Sequence, residues 1–399
     1  MTVWDDLVGQ EPAARRLAAA AAAAARLVAG QPEGSGGMTH AWLFTGPPGS
    51  GRSVAARSFA AALQCTSASV SGDGAGCGHC EACVQALSGA HPDVAVIAPE
   101  TLSLGVRDAR EIVVRSSRAP TRGRWQVTLL EDADRMTEDA TNAVLKALEE
   151  PPPRSVLLLS VPSAEDLLPT IRSRCRVVAL RTPPSAAVAE VLVRRDGVDP
   201  AMAAFAAQAA QGHIGRARRL ATDEAARRER RDVLSLPRSL QGVGSALAAA
   251  GGLVEAAQAE AAALTAGRDA GERQSLSDAL GVGATGKGVA GAVRGAAGAL
   301  KEQERTQKSR QTRTSRDALD RALTDLSAFY RDVLQHQLDT GLPLVHADLA
   351  EQSGAIAHAT SPESTLRRVD AILACRVAVD ANVAPLLAVE AMALALRTG

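Results

Sequence analysis

The chain has 399 residues, more than one compact domain usually takes, so two or three units are expected. Hydrophobic residues make up 46% and charged residues 22%, a globular balance that excludes a collagen, a wholly disordered chain and a small disulfide framework. Lys+Arg and Asp+Glu both total 44, and aromatics are 2%, so neither bulk cationic attraction to nucleic acid nor an aromatic stacking platform is on offer.

The chain opens MTVWDDLVGQEP, acidic where a secretory signal would be basic and then apolar. No apolar run reaches the roughly 20 residues of a membrane span, and the expectation is a soluble cytoplasmic protein with no membrane partner. Residues 11–28 have high helix propensity throughout, and QPEGSGG at 31–37 reads as a loop. Short apolar runs follow at Ala41–Thr45, Val94–Ala98, Trp125–Leu130, Ser155–Val161 and Arg176–Leu180. Helix-like sequence such as Arg107–Ser116 and Asp139–Glu149 separates them. Buried strands alternating with helices predict a parallel sheet covered on both faces, up to about residue 180.

After TPP at 182–184 the strand-like runs stop. Ser185–Arg195, Ala201–Gln211 and Arg216–Val233 read as three helices, and Leu240–Leu264 as an Ala-rich fourth. Residues 267–300 are Gly-rich without a clear period, which predicts a loop with intermittent helix. Lys301–Arg316 is densely charged, an exposed helix or a mobile insertion, and apolar spacing returns from Leu319 to Leu396 as a packed all-helical unit.

Gly46-Pro47-Pro48-Gly49-Ser50-Gly51-Arg52-Ser53 has the spacing of a phosphate-binding loop between a strand and a helix, with Arg52 where Lys is usual. Gly46, Gly49 and Gly51 let backbone N–H groups converge on phosphate oxygens, and Ser53 is placed to support Mg²⁺. An Arg fork is wider than a Lys ammonium, so some phosphate affinity is expected to survive but not the alignment that transfer needs. Val127–Leu130 leads into Glu131-Asp132, the reverse of the Asp-then-Glu order of hydrolysing enzymes. Those two acids read either as metal supports or as strand-end residues, and hydrolysis is not expected.

Cys65, Cys77, Cys80 and Cys83 lie in one Gly- and Ser-rich stretch. Four thiolates at such spacing suit a closed tetrahedral Zn²⁺ site of structural role, with free thiols or a redox pair as the rival readings in a reducing compartment. His79 within the cluster reads as solvent-facing, and Cys175 and Cys375 as isolated.

The order of motifs resembles the AAA+ clamp-loader subunits of bacterial DNA polymerase III, most closely the delta-prime branch. The residues that carry this are VGQ at 8–10, HAWLFTGPPGSGRS at 40–53 and the four cysteines, then HPDVAVIAPE at 91–100, DATNAVLKALEEPP at 139–152 and TIRSRC at 170–175. The resemblance covers about residues 1–235 and implies an α/β fold: a RecA-like AAA+ parallel sheet module with a zinc-binding insertion, then a helical lid and an all-α collar. The implied boundaries are 1–181 with the Cys₄ zinc module at 64–84, a three-helix lid at 182–235, and a collar at 236–399 carrying a flexible insertion at 267–316.

By the same resemblance the chain is a stator that helps place a sliding clamp on primed DNA, in a hetero-pentameric ring with gamma/tau and delta subunits. Each ATP site in such rings is completed by an Arg from the neighbour, which falls here on Arg174 of the SRC motif. Motor subunits carry a lid Arg in a G-S-x-R pattern, whereas this chain has Gly212-His213-Ile214-Gly215-Arg216. Three departures (Arg52, Glu131-Asp132 and Gly215) predict no intrinsic ATPase, with ATP/Mg²⁺ held weakly or not at all. The competing expectation is an active gamma/tau-like motor in which Arg52 substitutes for Lys. A zinc-containing DNA-binding module outside replication is a third, disfavoured by the balanced charge.

Overall fold

The computed structural model describes residues 2–32, 37–67, 76–99, 101–279 and 289–399. Parts of the sequence expectations lie outside these residues: the middle of the 31–37 loop, the Gly/Ser stretch at 68–75 and the tip of the 267–316 insertion at 280–288. Two compact units are present, one comprising Met1–Pro99 and Ser103–Thr222, the other built on Asp223–Gly399.

In the first unit five strands, β1 (Ala41–Thr45), β2 (Val94–Ile97), β3 (Gln126–Leu130), β4 (Ser155–Val161) and β5 (Arg176–Ala179), form one parallel sheet in the order β2-β3-β4-β1-β5. β1, β3 and β4 are buried along their whole length, as continuous apolar runs in the middle of a parallel sheet should be. Alternation along β1 divides the core. Trp42 and Phe44 face one side and pack with Phe59 and Leu63, while Ala41 and Leu43 face the other and pack with Ile112, Val144 and Leu159. Each such large side chain contributes on the order of 2 kcal/mol by leaving water, so both faces are firmly covered.

The covering helices are α1 (Glu11–Val28), α2 (Arg52–Gln64), α3 (Glu81–Ser88), α4 (Val106–Ser116) and α5 (Glu138–Glu149). The start of α5 is set by Thr137, whose hydroxyl accepts from the Ala140 N–H, with Glu138 and Asp139 in the positive first turn. A one-turn α6 (Pro169–Arg172) precedes β5, and α7 (Ser185–Asp196), α8 (Pro200–Ala209) and α9 (Ile214–Thr222) complete the unit. The parallel sheet covered on both faces, expected from the alternation of apolar runs and helix-like sequence, is thus present.

The second unit is all-helical: α10 (Glu224–Ser239), α11 (Val243–Ala279), α12 (Val289–Leu338), α13 (Ala350–Ala359), α14 (Pro362–Asp380) and α15 (Pro385–Thr398). Its core centres on Leu323, Phe329, Val333, Ile372 and Val389. The single helix expected over Arg216–Val233 is broken at Asp223, whose carboxylate accepts from the Ala225 N–H and caps α10. The loop expected over 267–300 and the flexible insertion at 267–316 also need correction. Residues 267–279 continue α11 and 298–316 belong to α12. Gly267 and Gly271 sit on open faces where a Cβ would meet nothing within 4 Å, so their cost to the helix is propensity alone. The segments are clasped by Arg310, 9% exposed, which pairs with Asp269 at 2.6 Å and Glu272 at 3.0 Å.

Candidate functional site

The phosphate-binding loop joins the end of β1 to the first turn of α2. Gly46 and Gly49 carry φ of 152° and 86°, and neither has room for a side chain. A Cβ on Gly46 would fall 2.6 Å from Leu180 O and from Ser50 Oγ, and one on Gly49 would fall 2.6 Å from His213 Cβ. The turn is tied down from below by buried Gln10. Its amide donates to Ser50 O and to Arg181 O and accepts from the Arg181 N–H. One side chain of the VGQ string thus couples the loop to the exit of β5.

Gly51 and Ser53 stand at the start of α2, where N–H groups favour an anion. The side chains tell a different story. Arg52 turns back into the loop and donates from Nη1 to Gly46 O at 2.7 Å. Burial pushes its guanidinium down from its ordinary value, against the pull of Asp132, Asp134, Asp166 and Glu131. Glu131, at the end of β3, accepts from Arg57 Nη2 at 3.1 Å. Asp132 sits at φ 49° and faces Arg135 at 4.0 Å. Asp134, unremarked in the sequence, is raised by burial. The backbone of the cradle fits a phosphate. Arg52, Glu131 and Asp132 are engaged with other groups of the same chain.

Beside the loop a cavity of about 670 Å³ opens between α2 and the α7–α9 helices, within the usual range for small-molecule sites. Arg52, Arg57, Arg195, Arg218 and His213 line it against the single acid Asp6. Arg195 pairs with Asp6 at 2.8 Å and Arg218 with Asp196 at 2.8 Å. Sequence reading found Arg52 by its motif position but missed the other three arginines, which carry no spacing signal. Gly215 lines the same cavity, and neighbouring His213 packs on Gly49.

The four clustered cysteines converge as their spacing implies. Their Sγ atoms all lie within 4.8 Å of one another, near the roughly 3.8 Å separation set by zinc–sulfur bonds of about 2.3 Å in a tetrahedron. Cys65 ends α2 and Cys83 lies in α3, and both are buried. The Cys83 thiol hydrogen-bonds Cys65 and pushes it down to about 4, despite burial. Cys83 is raised correspondingly. Burial opposes the Cys80 thiolate, but surrounding N–H and thiol hydrogen bonds hold it below its ordinary value. The backbone N–H of Cys77 donates to Cys65 Sγ at 3.4 Å and that of Cys80 to Cys77 Sγ at 3.3 Å. A set of four sulfurs, three of them buried and Cys80 half-buried, already receiving N–H donors fits Zn²⁺, with no open position for chemistry. His79 is exposed and its Nδ1 bonds Cys77 O at 2.9 Å, outside the ligand set.

Arg174 lies in the turn between α6 and β5. Its side chain is 38% exposed, with Nη1 donating to Thr170 O at 2.8 Å and Nη2 paired with Glu149 Oε1 at 2.8 Å. Arg172 is likewise exposed and pairs with Glu165. Arg176 instead turns inward, over the Trp42 ring at 5.3 Å and onto Gly37 O. The three arginines are therefore not one solvated edge.

Residues 31–184 match the family described as DNA polymerase III, delta subunit. The chain is 40% identical over 166 residues to DNA polymerase III subunit delta' of Pseudomonas aeruginosa, covering 41% of this chain and 50% of the relative. It is 36% identical over 161 residues to subunit delta' of Escherichia coli, covering 40% and 47%. To subunit gamma/tau of Mycobacterium tuberculosis it is 34% identical over 161 residues, covering 40% and 27%. The chain thus spans half or less of the length of these relatives. A Thermotoga maritima structure described as a DNA polymerase III gamma subunit-related protein aligns over 90% of this chain and 93% of its own, at TM-score 0.36 and 16% identity. The Thermotoga maritima RuvB branch-migration motor aligns over 58% and 64% at TM-score 0.38 and 18% identity. Residues 31–184, which hold the phosphate-binding turn, the four clustered cysteines and Arg174, are therefore the part of the chain that is similar to the DNA polymerase III delta-subunit family.

Proposed function

We propose that the chain is the delta-prime-like stator of a bacterial clamp loader: it helps load a sliding clamp onto primed DNA, without turning over ATP itself. Its partners in this reading are gamma/tau and delta subunits in a hetero-pentameric ring, and it reaches the clamp and the DNA through that assembly in the cytoplasm. Arg174 is donated in trans to the triphosphate of a neighbouring motor subunit, where it offsets charge on the γ-phosphate. The domains are an AAA+ module at 1–181, a lid at 182–235 and a collar at 236–399.

The observation that carries the reading is the Arg52 to Gly46 O hydrogen bond within the cradle. It commits to the loop's own carbonyl the side chain at the motif position that would otherwise reach a terminal phosphate. The Arg57–Glu131 pair supports it by occupying the strand-end acid. The cavity and the backbone cradle leave passive nucleotide holding compatible with the proposal. Zn²⁺ on Cys65, Cys77, Cys80 and Cys83 has a structural role.

Two measurements test this. The isolated chain should release no phosphate from Mg²⁺-ATP above background. In the reconstituted loader Arg174→Ala should lower ATPase by roughly 10³- to 10⁵-fold if it is the sole finger of its site, and less if others contribute. Full activity of that variant would overturn the role of Arg174. Brisk turnover by the isolated chain, abolished by Arg52→Ala, would favour the gamma/tau-like motor instead.

A further inference from the structure

The string DATNAVLKALEEPP accompanies the SRC motif in the sequence, and nothing in the function above uses it. The structure brings the two together. We infer that Glu149 is the positioning residue of Arg174, holding the guanidinium in a set orientation before a neighbour's phosphate arrives. The inference rests on the proposed trans role of Arg174.

Glu149 is the last residue of α5, where free carbonyls make a carboxylate unfavourable unless a cation faces it. That cation is Arg174, at 2.8 Å. The end of α5 is itself fixed, because His40 bonds Leu148 O at 2.9 Å at the entry to β1 and the Leu148 side chain is 2% exposed. On the other side Ile171, fully buried, anchors the turn that carries Arg174. The guanidinium is therefore held at Nη1 by Thr170 O and at Nη2 by Glu149, both on rigid backbone. The side chain stays 38% exposed, and a guanidinium carries five N–H donors, more than these two contacts use. A free Arg would have to give up rotamer freedom on engaging the phosphate, and this pair has removed much of that freedom beforehand.

The test uses the reconstituted loader with Glu149→Ala, Glu149→Gln and Arg174→Ala, assayed for ATPase at saturating and limiting ATP. Glu149→Ala should lower kcat by about 3- to 30-fold, the range that recovered Arg mobility allows, with KM for ATP unchanged. Glu149→Gln keeps an acceptor for Nη2 and should recover most of the rate. Added to Arg174→Ala, Glu149→Ala should cost nothing further, which a purely structural role would not produce. Unchanged kcat in Glu149→Ala beside a collapsed Arg174→Ala would overturn the inference and leave the trans role of Arg174 standing. A faster Glu149→Ala would also overturn it, since Glu149 would then be a competitor of the phosphate. An unaffected Arg174→Ala would remove the underlying reading.

Discussion

Replacing Asp93 by Asn removes a buried carboxylate that organises the chain entering β3. Asp93 is 1% exposed and accepts from the Thr121 N–H at 2.8 Å, Thr121 Oγ1 at 2.7 Å, the Arg122 N–H at 2.8 Å and the Gly123 N–H at 2.5 Å. Burial opposes its charge, yet these donors outweigh burial and bring the group down to about 2 from an ordinary 3.8. That displacement corresponds to about 2 kcal/mol of folding stability. The sign follows from proton counting. The unfolded chain binds the proton more readily, so the contribution is complete above about pH 4 and is lost as pH falls toward about 2. Asn offers an NH₂ where donors converge, so Asp93→Asn should cost about 2–3 kcal/mol at neutral pH. Urea unfolding of both proteins from pH 7 downward measures this, and the gap between them should begin to close below about pH 4. A gap that stays constant with pH, or is below about 1 kcal/mol at pH 7, would refute the assignment of this carboxylate as the organiser of the loop.

Gly49→Ala should destabilise the first unit by about 2–5 kcal/mol, combining left-handed backbone strain with overlap on His213. Gly30→Ala, at φ 71° with nothing near its Cβ, should cost the strain alone, about 1–2 kcal/mol, and equal costs at the two positions would refute the His213 contact. Cys83→Ser should abolish stoichiometric zinc in the purified chain, read by metal analysis, and chelation should lower the unfolding temperature of the wild type but not of the variant. Arg310→Met removes the buried cation between Asp269 and Glu272, leaving Glu272 to Arg268 at 2.8 Å, and should cost about 3 kcal/mol. Hydrogen exchange in α11 would report it, and Asp269→Leu with Glu272→Leu in the same chain should restore protection.

Features written in consecutive residues were legible in advance. The strands announced themselves as apolar runs, the cradle by its glycines and the sulfur cluster by four cysteines between 65 and 83. What was hidden depends on groups distant in sequence. Gln10 ties Ser50 to Arg181 through a side-chain amide that no spacing rule identifies. Arg310 reads as a solvated charge in a charged stretch, and only its meeting with Asp269 and Glu272 makes it interior. Glycines at 267 and 271 read as loop because propensity is summed along the chain, whereas a helix face open to solvent tolerates them. Arg57, Arg195 and Arg218 enter the cavity from separate helices and share no local pattern.

The same long-range engagement decides what a repaired motif would do. Arg52→Lys restores the usual residue of a phosphate-binding loop and removes the Gly46 O contact that the Arg fork makes. Tighter binding of Mg²⁺-nucleotide is expected from a compact ammonium at the helix start. Hydrolysis is not expected to follow. Glu131 is still paired with Arg57, Asp132 is still turned at φ 49°, and Gly215 supplies no cation from the lid side. Each missing group acts on the transition state, so restoring one leaves the others' share of the barrier in place. Phosphate release by isolated Arg52→Lys should therefore stay at background while nucleotide affinity rises. Turnover appearing with that single change would mean that Glu131 and Asp132 serve catalysis as they stand, and the protein would then be a motor one side chain away from function.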